Sequence, residues 1–113
     1  MKHLITLLLL STLSFALNPK LFSSQDLTSL DEAEKNGDKV KEKEIYKKIC
    51  EKGDMDTCSH LAFIYAQEQN YKDATIYYEK ACNKDDFLSC NMLATLYRDG
   101  LGVEKNYEKA KEL

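Results

Sequence analysis

Proline occurs once and glycine four times in 113 residues, while 31% of the chain is charged. With turn residues this scarce and the usual mixture of strand formers missing, the composition reads as helices. No run of lysine and arginine is present, and acids outnumber bases 19 to 16. Such a chain offers no phosphate-neutralising stripe, which argues against nucleic acid as a partner. Histidine occurs only at His3 and His60, and no C-x-x-C pair exists. A zinc site needs closely spaced ligands, so neither a metal nor another cofactor is expected. One apolar run stands out, Leu4 to Leu13. It is too short for the roughly 20 residues that span a bilayer.

That run follows Lys2 and His3 and precedes Ser14 and Ala16, small residues at the two positions that a signal peptidase reads. Residues 1–16 are therefore expected to be a signal peptide, with the mature chain starting near Leu17. The product is expected to be secreted or periplasmic, with no membrane contact after cleavage. No cysteine lies near the cut, which disfavours a lipid anchor. Cleavage removes one lysine and no acid, so the formal charge of −3 becomes one unit more negative. Roughly 97 residues remain, enough for one small domain with a modest core.

Four cysteines in an exported chain of this size read as two disulfides. They come as C-x7-C twice, at Cys50 and Cys58 and again at Cys82 and Cys90, and the sequence repeats around them. At the offset of 32 residues that relates these pairs, Tyr46 returns as Tyr78, Leu61-Ala62 as Leu93-Ala94 and Tyr65 as Tyr97. Past Tyr97 the register slips by four residues, and Tyr71-Lys72-Asp73-Ala74 matches Tyr107-Glu108-Lys109-Ala110. The inserted stretch is Gly100-Leu101-Gly102-Val103, a longer turn in the second unit.

Within each unit the apolar spacing is helical. Ala74, Tyr77, Tyr78, Ala81 and Cys82 fall on one helix face, and Leu61, Ala62, Ile64 and Tyr65 make the facing stripe, repeated as Leu93, Ala94, Leu96 and Tyr97. Alanines let the helices approach and the tyrosines fill what they leave open, so the aromatic stripe reads as core. Turns are expected at Asn36-Gly37, Gly53-Asp54, Glu68 to Asn70, Asp85-Asp86 and Arg98 to Lys105. The organisation is then a loose leader at 17–26 and a solenoid at 27–113. The solenoid comprises a degenerate pair at 27–50, a full repeat at 58–82 and an incomplete repeat at 90–113. The fold class is all-α: antiparallel helix pairs stacked as an α-solenoid and closed by disulfides. Four cysteines allow three pairings, and sequence alone does not choose. The repeat favours Cys50–Cys58 with Cys82–Cys90, because only these give equivalent units the same bridge. A catalytic thiol is disfavoured: His60 lies two residues after Cys58, and Met92 takes its place in the next unit. The chain stops at Leu113 inside what should be a helix, with the apolar face begun at Ala110 uncovered. It reads as a fragment or a truncated product, or else as a self-associating end.

Leu61, Ala62, Tyr65, Ala74, Tyr78 and Ala81 match the tetratricopeptide spacing, and Gly100–Val103 followed by Tyr107 and Lys109-Ala110 resembles the Sel1-like variant of that repeat. With C-x7-C at each joint and a signal peptide, the chain resembles the Helicobacter cysteine-rich protein family over residues 27–113. The resemblance implies a right-handed α-solenoid with intra-repeat disulfides, periplasmic or secreted. It also implies a β-lactamase label, since some members bind penicillins and hydrolyse them slowly. Two departures are plain: the first full unit lacks the G-x-G-V insertion, and there are only about two and a half units.

At residue level the hydrolase reading finds no recognised machinery. No serine begins S-x-x-K, since Ser59 leads to Ala62 and Ser89 to Met92. A metallo-enzyme would need several histidines, where the mature chain has His60 alone. No catalytic residue is named. A binding role has more behind it. In tetratricopeptide stacks the first helix of each unit lines the concave side, and spacing places Ser59, Phe63 and Gln67 there from one unit and Asn91, Thr95 and Arg98 from the next. Phe63 is a large apolar residue between core positions, and Arg98 suits a carboxylate. The expected function is a secreted scaffold that binds a peptide, protein or peptidoglycan-derived fragment on this face, with slow β-lactam hydrolysis as the alternative.

Overall fold

The computed structural model describes residues 23–113. The expected signal peptide, and the expected leader up to residue 22, lie outside the described residues. Six helices follow: α1 Ser24–Asn36, α2 Lys39–Glu51, α3 Met55–Gln67, α4 Tyr71–Cys82, α5 Phe87–Asp99 and α6 Tyr107–Glu112. No strand occurs among the described residues, so the all-α expectation holds.

The helices are cut to length by a dipeptide that recurs every 16 residues. Gly37, Gly53, Gln69 and Asp85 each take a left-handed backbone conformation, with φ of 65°, 110°, 62° and 66°. The next residue turns its N–H back to a carbonyl of the helix just ended: Asp38 to Ala33 at 2.8 Å, Asn70 to Tyr65 at 2.9 Å and Asp86 to Ala81 at 3.1 Å. This satisfies carbonyls that the helix end would otherwise orphan. The same residues open the next helix. Asp38 accepts from the Lys41 N–H at 3.1 Å, Asp54 from Thr57 at 3.0 Å and Asn70 from Asp73 at 3.4 Å, each satisfying a donor of the first turn. The 32-residue repeat is thus two helices of a 16-residue half-unit.

Two compact units divide the chain, the first ending at Thr57 and the second starting at Cys58. In the first, α1 and α2 bury Leu30, Ala33, Ile45, Tyr46 and Ile49. Buried Asp26 is held by the Lys48 ammonium at 3.0 Å and accepts the Ser23 N–H at 3.4 Å. Burial pushes its carboxyl up, but Lys48 and the bonds to Ser23 outweigh that and leave it below the usual range. Burial pushes the Tyr46 hydroxyl far above its ordinary value, with Glu34 and Glu42 adding to the effect. Helix α1 starts at Ser24, three residues before the expected Leu27 and inside the expected leader at 17–26. The reason is a reciprocal cap: Ser23 accepts from the Asp26 N–H at 3.1 Å while Asp26 accepts from the Ser23 N–H.

In the second unit, Leu61, Ala62, Ala74, Tyr78, Ala81 and Leu93 are almost completely buried. Tyr65 stacks on Tyr77 with ring centroids 5.7 Å apart, which joins α3 to α4. All four cysteines are oxidised. Cys82 bonds Cys90, with Cα atoms 4.7 Å apart across the α4–α5 joint, and Cys50 and Cys58 form the other pair. The pairing that the repeat favours is the one present. The turn expected from Arg98 begins instead at Gly100. Arg98 and Asp99 stay helical because Gly100, at φ 67°, supplies the left-handed cap.

Candidate functional site

The second unit carries an open groove of about 460 Å³ between α5 and α6. Asn91, Ala94, Thr95 and Arg98 stand at i, i+3, i+4 and i+7, which is one face of α5. Tyr107, Ala110 and Lys111 stand at i, i+3 and i+4 of α6 and form the facing side. Each helix therefore contributes one alanine and longer, polar-tipped side chains to the lining.

Helix α6 is aimed by the turn before it. The Leu101 N–H donates to the Leu96 carbonyl at 2.9 Å and Asn106 N–H to the Tyr97 carbonyl at 2.8 Å, tying both ends of the turn to α5. Gly102, at φ +72°, lies against the backbone of Tyr71 at the start of α4. Asn106 then caps α6, accepting from the Lys109 N–H at 3.0 Å.

The lining includes two cations, Arg98 and Lys111, and no acid. Arg98 donates from Nε to Asp99 at 3.1 Å and from Nη2 at 3.5 Å. The hydrogen bonding that Arg98 donates to Asp99 raises the Arg98 pKa and lowers that of Asp99. Lys105 sits with its ammonium 5.1 Å from the centre of the Tyr107 ring. The Thr95 hydroxyl donates back to the Asn91 carbonyl at 3.1 Å.

Of the six residues expected on a concave face, the structure gathers Asn91, Thr95 and Arg98 in this groove and leaves Ser59, Phe63 and Gln67 outside its lining. The Ser59 hydroxyl is 3.0 Å from that of Ser89. Ser89 is fully buried and bonds the Asp86 carboxylate, which in consequence makes no side-chain bond to the α5 backbone. Phe63 is half exposed on α3 and Gln67 is exposed. Tyr107, Ala110 and Lys111 were not among the expected binding residues, although their own i, i+3, i+4 spacing marks a face. Ala94, expected in the core, is only partly covered, where its counterpart Ala62 is fully buried. Among the described residues no group of three or more histidine, cysteine or acidic side chains is placed to hold a metal. No described helix is long and apolar enough to cross a membrane.

Residues 60–86 and 88–113 each match the model of the Sel1 repeat. The chain carries two Sel1 repeats. The first holds most of α3 and all of α4, the second most of α5 and all of α6, so the groove lies between the two helices of the second Sel1 repeat. Sel1 repeats generally mediate protein–protein interaction. No curated protein matches the chain.

Proposed function

We propose that this protein is an exported interaction scaffold whose second Sel1 repeat binds a peptide segment of a protein partner. One observation carries the reading: two helix faces converge on a groove lined by two alanines and by hydrogen-bonding and charged groups. The small alanines leave room for a side chain and the polar groups orient it. Export is supported by the signal-like residues 1–16 and by four oxidised cysteines, which cytosolic thiols do not stay. Membership of the Helicobacter cysteine-rich family rests on the C-x7-C period at the joints. The hydrolase reading gains nothing from Ser59 and Ser89, whose hydroxyls bond each other and Asp86 rather than a lysine.

Selection of a random peptide library on the oxidised protein tests the proposal, with Thr95→Trp as a variant whose groove is filled. Peptides that bind the native protein and lose that binding on Thr95→Trp support it, provided the variant melts normally. Peptides that bind both forms equally overturn the assignment of the groove. Steady nitrocefin turnover by the same preparation, above a denatured blank, would favour the hydrolase instead.

A further inference from the structure

We infer that the groove of the second Sel1 repeat takes an acidic peptide with an apolar residue beside its carboxylate, and that Asp99 is a built-in competitor for that carboxylate. The inference rests on the reading of the groove as a binding site and adds the chemistry of its ligand.

The charge balance of the lining runs against that of the chain. Acids outnumber bases 19 to 16 in the sequence, yet the groove is lined by two cations, Arg98 and Lys111, and by no acid. Cations concentrated at one concavity of an acidic protein attract carboxylates and repel basic segments, which sets specificity as well as encounter rate. The apolar part of the ligand is fixed by the methyls of Ala94 and Ala110 and by Tyr107, whose side chain is largely exposed.

Arg98 has five N–H donors in a planar fork. Asp99 takes two of them, through Nε and Nη2. A ligand carboxylate must use the remaining donors or displace Asp99 from the fork, and either way it meets the repulsion of a second carboxylate nearby. Asp99 is not in the lining itself. It acts on the ligand through Arg98, which makes it a positioning residue.

Fluorescence anisotropy with three labelled decapeptides tests the inference: one alternating Glu and Leu, one alternating Gln and Leu, and one alternating Lys and Leu. The Glu–Leu peptide is expected to bind about tenfold more tightly than the Gln–Leu peptide and to weaken as salt is raised. Arg98→Gln and Lys111→Gln should each weaken it several-fold. Asp99→Asn should tighten it about threefold, whereas Glu79→Gln, the same change of charge on α4, should leave it unchanged. Equal binding of the Glu and Gln peptides, or no saturable binding of the Glu–Leu peptide, overturns the acidic ligand. If binding is still lost on Thr95→Trp, the groove itself stands. Binding indifferent to Thr95→Trp removes the groove and the inference together. An Asp99→Asn effect no larger than that of Glu79→Gln removes Asp99 from its role.

Discussion

Gly102 lies so close to Tyr71 that a Cβ placed on it would sit 2.3 Å from the Tyr71 carbonyl carbon. This contact fastens the long turn of the second Sel1 repeat to the start of α4 in the first, and so fixes where α6 lies. Gly102→Ala meets both a left-handed backbone and a backbone neighbour that cannot step aside. It should cost about 3 kcal/mol, against about 1 kcal/mol for Gly37→Ala, which shares the left-handed φ but meets nothing within 4 Å. Urea midpoints of the two variants check this, and equal losses would show that Gly102 matters only for its φ.

Gln69 makes the opposite case. It holds φ 62° in the turn between α3 and α4, where its counterparts Gly37 and Gly53 are glycine. An L side chain pays for that conformation, and Gln69→Gly should raise stability by up to about 1 kcal/mol. An increase in urea midpoint at unchanged slope is the expected result.

These turns also show what could be read in advance. The joints at Gly53-Asp54 and Asp85-Asp86 were legible because glycine and aspartate end and begin helices by local chemistry. The half-period of 16 residues was equally present in the sequence but obscured, since two of its four left-handed residues, Gln69 and Asp85, are not glycine. The cap of α1 is local, in Ser23 and Asp26, but it falls in a stretch whose sequence reads as leader. The α5 side of the groove followed from spacing along one helix. Its α6 side depended on how Gly100 to Lys105 fold back onto α4, which is non-local and invisible to periodicity. Ser59 has the spacing of an outward residue but is drawn to the buried Ser89, a partner no one-helix pattern names.

The Cys82–Cys90 bridge closes nine residues, and loop-closure entropy assigns such a bridge about 2–3 kcal/mol. Replacing both cysteines with alanine should lower stability by that amount, read as a fall in urea midpoint. Mass spectrometry of the unreduced native protein should find each bridge within its own joint.

Asp26 ties stability to pH. Its carboxyl is held below the ordinary value of 3.8 by Lys48 and Ser23, which outweigh burial. A depressed folded-state pKa contributes stability that is present above the unfolded value and is lost as pH falls through the folded one. The first unit should therefore weaken below about pH 4, and Asp26→Asn should flatten that dependence while costing about 1 kcal/mol near neutrality through the lost ion pair and cap. Urea midpoints across the acid range, native against variant, provide the comparison. An unchanged acid limb in Asp26→Asn would assign the pH dependence to other carboxylates.

Amide chemical shifts of the labelled, oxidised protein, titrated with a peptide selected on it, test the central claim most directly. The groove requires the largest shifts at residues 91–98 and 107–111, on the two faces that meet between α5 and α6. Largest shifts at residues 59–67, or on α1 and α2, would place the binding surface elsewhere and contradict the account.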